Sequence, residues 1–150
     1  MRFDRLTLKA QEAFQAAQQV AIELSHQAID AEHMMLGLLD DAQGTTVGLL
    51  QKIGASPDAL RTTLRNDLDR RPKVSGTSAT YGTSMTGRMQ QLFNRGFTVA
   101  DELGDDYVST DHLLLALAED ATIGSLLRGQ GATKERLQEA IRMVRGSQKV

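Results

Sequence analysis

The second half of this 150-residue chain repeats the first. Thr7, Gln11, Phe14, Val20, Ala21, Glu23 and Leu24 recur 79 positions later as Thr86, Gln90, Phe93, Val99, Ala100, Glu102 and Leu103. His33, Leu36, Leu38 and Asp41 recur at the same offset as His112, Leu115, Leu117 and Asp120. After a two-residue deletion, Leu49, Leu50, Gly54, Ala55 and Leu60 recur as Leu126, Leu127, Gly131, Ala132 and Leu137. A tandem repeat of one unit is an architecture of binding far more often than of catalysis, because the interface between two similar halves makes grooves.

The repeated unit is helical. Ala10, Phe14, Ala17, Ala21 and Leu24 form one stripe of a first helix that Thr7 caps. IDAEHMMLGLL predicts a second helix capped by Asp30, with Glu32 favouring the dipole in its first turn. A third helix over about 46–53 ends at Gly54, and a fourth starts at Ser56-Pro57 and buries Leu60, Leu64 and Leu68. In the second half Thr86, Ser109 and Thr133 cap helices five, six and eight, and helix seven ends near Gly129 and Gly131. Helix eight carries Leu137, Ile141 and Val144. No sustained alternation or Asn-Gly hairpin signals strands. The expected fold is all-α, eight helices as two four-helix repeats, over about 4–70 and 85–146. Residues 71–84, rich in Pro, Gly, Ser and Thr, read as an irregular connector. Residues 147–150 read as the start of a linker, which makes the chain the front end of a longer protein.

Composition narrows the function. Hydrophobic residues make up 41% and charged residues 24%, a globular balance. With no Trp and 4% aromatics, the core is built from Leu, Ala, Ile, Val and Met. A net charge of −2 argues against a nucleic-acid binder. The absence of cysteine removes disulfides, thiolate metal sites and thiol nucleophiles, and fits a reducing compartment. There is no N-terminal apolar h-region and no 18-residue apolar run, so the expectation is a soluble, cytoplasmic protein with no membrane partner.

No residue pattern predicts catalysis. GxxxxGK[ST], GxSxG and HExxH are all absent, so no catalytic residue, metal ligand or resident cofactor is expected here. His33 and His112 fall at equivalent points in the first turns of helices two and six. They either share a site between the halves or reach back to their own helix caps. GRMQQLFNRGFTVA is apolar on more than one helical face. Either Phe93, Phe97 and Val99 contribute to a substrate groove, or the helix is sandwiched and buried all round. Met34, Met35, Met85 and Met89 supply either a soft, adaptable surface or ordinary core. Gly96, where the first unit has Ala17, marks a close helix approach or an open spot in a groove.

The pieces RLTLKAQEAFQAAQQVA and TGRMQQLFNRGFTVADEL, IDAEHMMLGLLDD and VSTDHLLLALAED, and the two Gly-Ala pairs resemble the double Clp repeat, the N-terminal domain of Clp-family ATPases. The opening MRFDRLT and the connector RRPKVSG resemble the ClpB disaggregase branch. The resemblance implies a pseudo-twofold helical domain tethered above a hexameric ring formed by the rest of its own chain, with ATP and Mg in ATPase modules outside this segment. It implies binding of exposed apolar segments of unfolded or aggregated polypeptides, delivery to the ring, and cooperation with a DnaK-type chaperone through other domains. Thr7, Asp105 and Asp111 match positions which that branch uses for chaperone activity; each also sits at a helix terminus or turn. Glu32 is the first-half counterpart of Asp111, and in the ClpC branch such paired acids resemble a phosphoarginine site with Glu where this chain has Asp111. The alternative within the family is an adaptor-binding domain of a Clp protease ATPase, ClpC- or ClpA-like. A stand-alone Clp-repeat protein is a further alternative. A small hydrolase, the alternative of another class, lacks a nucleophile-base pair.

Overall fold

Side-chain caps set where the helices begin. In the computed structural model, which describes residues 3–75, 80–82 and 84–150, eight α-helices follow a short 3-10 turn at Phe3–Arg5. The Thr7 hydroxyl accepts from the Ala10 amide at 3.2 Å and opens α1, Leu8–Glu23. Asp30 opens α2, Ala31–Leu39. Helix α3, Thr45–Ile53, has no side-chain cap and stops at Gly54, whose φ of 97° suits a residue without Cβ. Ser56 opens α4, Pro57–Asp69; Thr86 opens α5, Gly87–Glu102; Ser109 opens α6, Thr110–Glu119; and Thr133 opens α8, Lys134–Arg145. Asp120 accepts from Thr122 and Ile123 amides to open α7, Ala121–Gly129, a cap the sequence reading did not assign.

The two halves pack as the repeat predicts. Every residue of α2 is buried, as are residues 111–118 of α6, and these two helices touch at the centre. Helix α1 flanks α2 and α5 flanks α6; α4 covers α2 and α8 covers α6. Phe14 and its repeat equivalent Phe93 meet edge to face with ring centroids 5.5 Å apart, so the pseudo-twofold axis runs between them. Phe93 is core, whereas Phe14 is half-buried.

The halves also exchange short strands that no alternation signals. Strand β1, Ala28–Ile29, pairs in parallel with β2, Ser84–Met85, and Leu6 bridges Val108 the same way. The equivalence is close: the Thr86 amide donates to Ile29 O at 3.0 Å, and the Thr7 amide donates to Val108 O at 3.0 Å. Each half thus closes the other. Two-residue strands carry no periodicity, so they exist only because packing brings the backbones together.

The structure sorts three open points of the sequence. Val144 is 60% exposed, so the buried face of α8 is Leu137, Ala140 and Ile141. Met34, Met35 and Met89 are core, and Met85 is half-buried, so the methionines form no adaptable surface. Residues 147–150, expected as the start of a linker, lie against the end of the fifth helix, with the Val150 amide donating to Asp105 at 3.0 Å. The connector expected over 71–84 is irregular where described up to Gly82, but Ser84 already belongs to β2, and residues 76–79 and 83 lie outside the described residues.

Close approach of α1 and α2 depends on Gly37. A Cβ there would overlap the Ala13 carbonyl oxygen and crowd Ala17. In the second half the missing Cβ is moved to Gly96, where one would lie 3.1 Å from Leu113 Cδ2. Gly96 is therefore a packing position. Gly37→Ala is expected to destabilise the chain by about 1–3 kcal/mol in urea denaturation, because overpacking outweighs the gain in helix propensity. A variant as stable as the parent would show that the helices separate without cost.

Candidate functional site

The two histidines occupy matching places and serve their own helices. His33 Nδ1 accepts from the Asp30 amide at 2.9 Å, and His112 Nδ1 accepts from the Ser109 amide at 2.8 Å, completing a capping box in each half. Their outer nitrogens differ in partner. His33 Nε2 meets His26 Nδ1 at 2.9 Å, whereas His112 Nε2 meets the Asp105 carboxylate at 2.7 Å. His26 and Asp105 are themselves repeat equivalents. The histidines build no shared site, and among the described residues no group of His, Asp and Glu could hold a metal ion.

The acids beside them follow the same frame with different partners. Glu32 is buried and held by two arginines, Arg71 at 2.9 Å and Arg88 at 3.0 Å. Both arginines also bind Asp30, and Arg88 grips Asp120 through two nitrogens at 2.8 and 3.2 Å. This network joins α2, the end of α4, α5 and the start of α7. Burial works against the Asp30 carboxylate, but the Thr86 hydroxyl, the Ala31 amide and Arg88 hold its pKa below the ordinary value. Asp111, the counterpart of Glu32, is buried without such a clamp. Its Oδ1 has no hydrogen-bond partner, and burial raises its pKa.

Thr7, Asp105 and Asp111 are the positions that the resemblance ties to chaperone activity and that local chemistry ties to helix ends and turns. Thr7 caps α1. Asp105 is fully enclosed, accepting from Arg145 at 2.8 Å, His112 and the Val150 amide. Burial opposes its charge, yet these donors hold its pKa well below the usual carboxylate range. The Asp105 carboxylate is closed off from solvent, whereas Asp111 keeps 8% of its surface exposed.

The apolar candidates separate. Phe93 is 1% exposed, in edge contact with Phe14 and Phe3, and offers no surface to a ligand. Phe97 is covered by Arg5, whose guanidinium lies 5.2 Å from the ring centroid while its Nη2 bonds Asp101 at 3.1 Å. Val99 faces a groove of about 680 Å³ between α5 and α8. Val99, Leu103, Leu115 and Ile141 form its floor, and Arg95, Glu102, Lys134 and Glu135 are on its rim. Leu103 remains 41% exposed there. Residues 146–149 form the end wall. The spacing of Val99 and Leu103, one helical turn apart beside Arg95 and Glu102, was visible in the sequence. Which apolar face of α5 turns outward was not.

Residues 5–130 match the Clp repeat (R) N-terminal domain family. The chain is 36% identical over 152 aligned residues to the chaperone protein ClpB of Bacillus anthracis, covering all of this chain and 18% of that protein. It therefore spans about a fifth of such relatives' length. The Hsp104 N-terminal domain of Candida albicans has a similar fold, with a TM-score of 0.82 at 18% identity, covering 96% of this chain and 93% of that one. A ClpV N-domain solved in complex with a VipB peptide is also similar, with a TM-score of 0.75 at 20% identity, covering 94% of this chain and 87% of that one.

Proposed function

This chain belongs to the Clp repeat N-terminal domain family, and we propose that it is the substrate-engaging N-terminal domain of a ClpB-type protein disaggregase. In this reading it holds exposed apolar segments of unfolded or aggregated polypeptides and passes them to a cytoplasmic hexameric ring, whose ATPase modules bind ATP and Mg. The observation that carries it is the groove between α5 and α8. Its floor is apolar, and its rim carries both signs of charge. Such a surface gains from removing apolar side chains from water while demanding little of the polar pattern around them. Several rim charges are already neutralised within the chain: Arg95 pairs with Glu119 and Glu102, and Lys134 pairs with Glu119. Affinity for an unfolded chain is expected on the order of micromolar or weaker, because the ligand loses conformational freedom.

The experiment is an NMR titration of residues 1–150 with a permanently unfolded, apolar-rich protein. Shifts are expected at Val99, Leu103 and Ile141, and to weaken in Leu103→Gln, which alters an exposed side chain and leaves the core intact. Shifts confined to the connector, or none at saturating client, would overturn the reading.

A further inference from the structure

The chain makes one contact twice. At the end of α1 the Lys73 ammonium donates to the Leu24 carbonyl at 3.0 Å, and the next residue, Val74, donates its amide to Ser25 O at 3.0 Å. At the end of α5 the Lys149 ammonium donates to the Leu103 carbonyl at 2.9 Å, and Val150 donates its amide to Asp105 Oδ1 at 3.0 Å. Leu24 and Leu103 are equivalent residues of the two halves. Lys73 lies in the connector and Lys149 in the tail, outside the repeat that the helices define. The physical reason is common to both sites. The last turn of a helix leaves carbonyl oxygens without intrahelical donors and carries partial negative charge. An ammonium group supplies several donors there, and the amide of the residue after it adds a hydrogen bond, to a backbone oxygen in one half and to the Asp105 carboxylate in the other.

The surroundings of the two sites differ. In the first half the chain continues to Gly82, whose amide donates to His26 O at 3.0 Å and whose carbonyl accepts from Gln18 at 2.7 Å. The connector is thus fastened on both sides of α1's end. In the second half the Asp106 and Tyr107 amides both donate to the main-chain oxygen of Val150, at 2.6 and 3.1 Å. That site opens straight into the groove, because Leu103 and Lys149 also line it.

We infer that the C-terminal end of α5 is a recognition site for a polypeptide segment, held through a basic residue and the main chain of the residue after it. Lys149-Val150 fills it here, and an incoming segment takes it by displacing them. The inference rests on the groove reading above and adds the chemistry of its end. The basic residue neutralises the helix terminus beside the Asp105 carboxylate, the main chain after it pairs with Asp106 and Tyr107, and the residues before it lie along Val99 and Leu115. Clients with such a pair gain a polar anchor that a purely apolar segment lacks.

The test is an NMR titration of the whole chain with a capped peptide Arg-Arg-Pro-Lys-Val-Ser, copying residues 70–75, and with the same peptide carrying Glu for Lys. In the parent chain the tail competes at an effective concentration on the order of millimolar. In Lys149→Glu the lysine peptide is expected to bind roughly tenfold tighter or more, with the Asp106 and Tyr107 amides shifting, while the glutamate peptide leaves them unmoved. Replacing residues 147–150 by Gly-Ser-Gly-Ser gives the same comparison without adding a charge. Equal affinity for parent and variants, or equal response to both peptides, overturns the inference. If the unfolded client still shifts Val99 and Leu103 but the peptide leaves Asp106 and Tyr107 unchanged, the inference falls and the groove reading stands. If neither ligand binds, both fall.

Discussion

Phe93→Ala is expected to lower the unfolding free energy by about 3–5 kcal/mol, measured by urea or guanidinium denaturation. The ring is enclosed between the halves, edge to face with Phe14 at 5.5 Å and Phe3 at 6.5 Å. Removing it leaves a cavity at the pseudo-twofold axis, where helices from both halves are already fixed by the strand exchange and cannot collapse inward freely. It also removes aromatic pairing worth about 0.5–1.5 kcal/mol beyond burial. Phe14→Ala, at the half-buried equivalent position, should cost less. A Phe93→Ala loss under about 1.5 kcal/mol would mean that the halves do not meet through this ring.

Stability should also fall as the medium is acidified from pH 6.5 towards pH 4. Burial first, then the neighbouring His26 and Arg71, push the His33 pKa from 6.5 down to about 4, with Asp30 opposing. Between these values the unfolded chain binds the proton and the folded chain does not, so stability rises with pH across that window. The contribution is whole above pH 6.5 and is lost as pH falls to about 4. The loss amounts to roughly 3 kcal/mol once the acid end is reached. The structural reason is specific: protonating Nδ1 turns the acceptor of the Asp30 amide into a second donor and breaks the capping box. His112 is shifted in the same direction, mainly by burial, although Asp105 favours its charged form. His33→Gln keeps an acceptor at this cap position and removes the titration. Denaturation of both chains across the window should show a shallower acid loss in the variant. Parallel curves would assign the loss to other groups.

Much of the architecture was legible because helix starts are local. Thr7, Asp30, Ser56, Thr86, Ser109 and Thr133 each announce a helix by offering an oxygen to amides within the next turn. That chemistry is complete within a few residues, so a linear reading recovers it. The His33 and His112 caps were legible as one of two readings for the same reason. The candidate site was legible only in part. The apolar faces of α5 were evident, but Phe93, Phe97 and Val99 could not be sorted, because each face needs a partner and the sequence names none. Phe93 goes to the axis, Phe97 under Arg5, and Val99 to the groove.

The sequence by itself determined that one helical unit occurs twice, where most of its helices start and stop, and that no catalytic motif accompanies them. These follow from periodicity, capping and composition, which act over a few residues or are read by comparing the chain with itself. Only the tertiary structure decided the exchange of Leu6 and Met85 between halves, the clamp of Arg71 and Arg88 on Glu32, and the return of Lys149-Val150 to the end of α5. Each joins residues far apart in the chain. Such contacts form once the packed core has paid the entropy of closing the loops between them, and no local pattern records where they land.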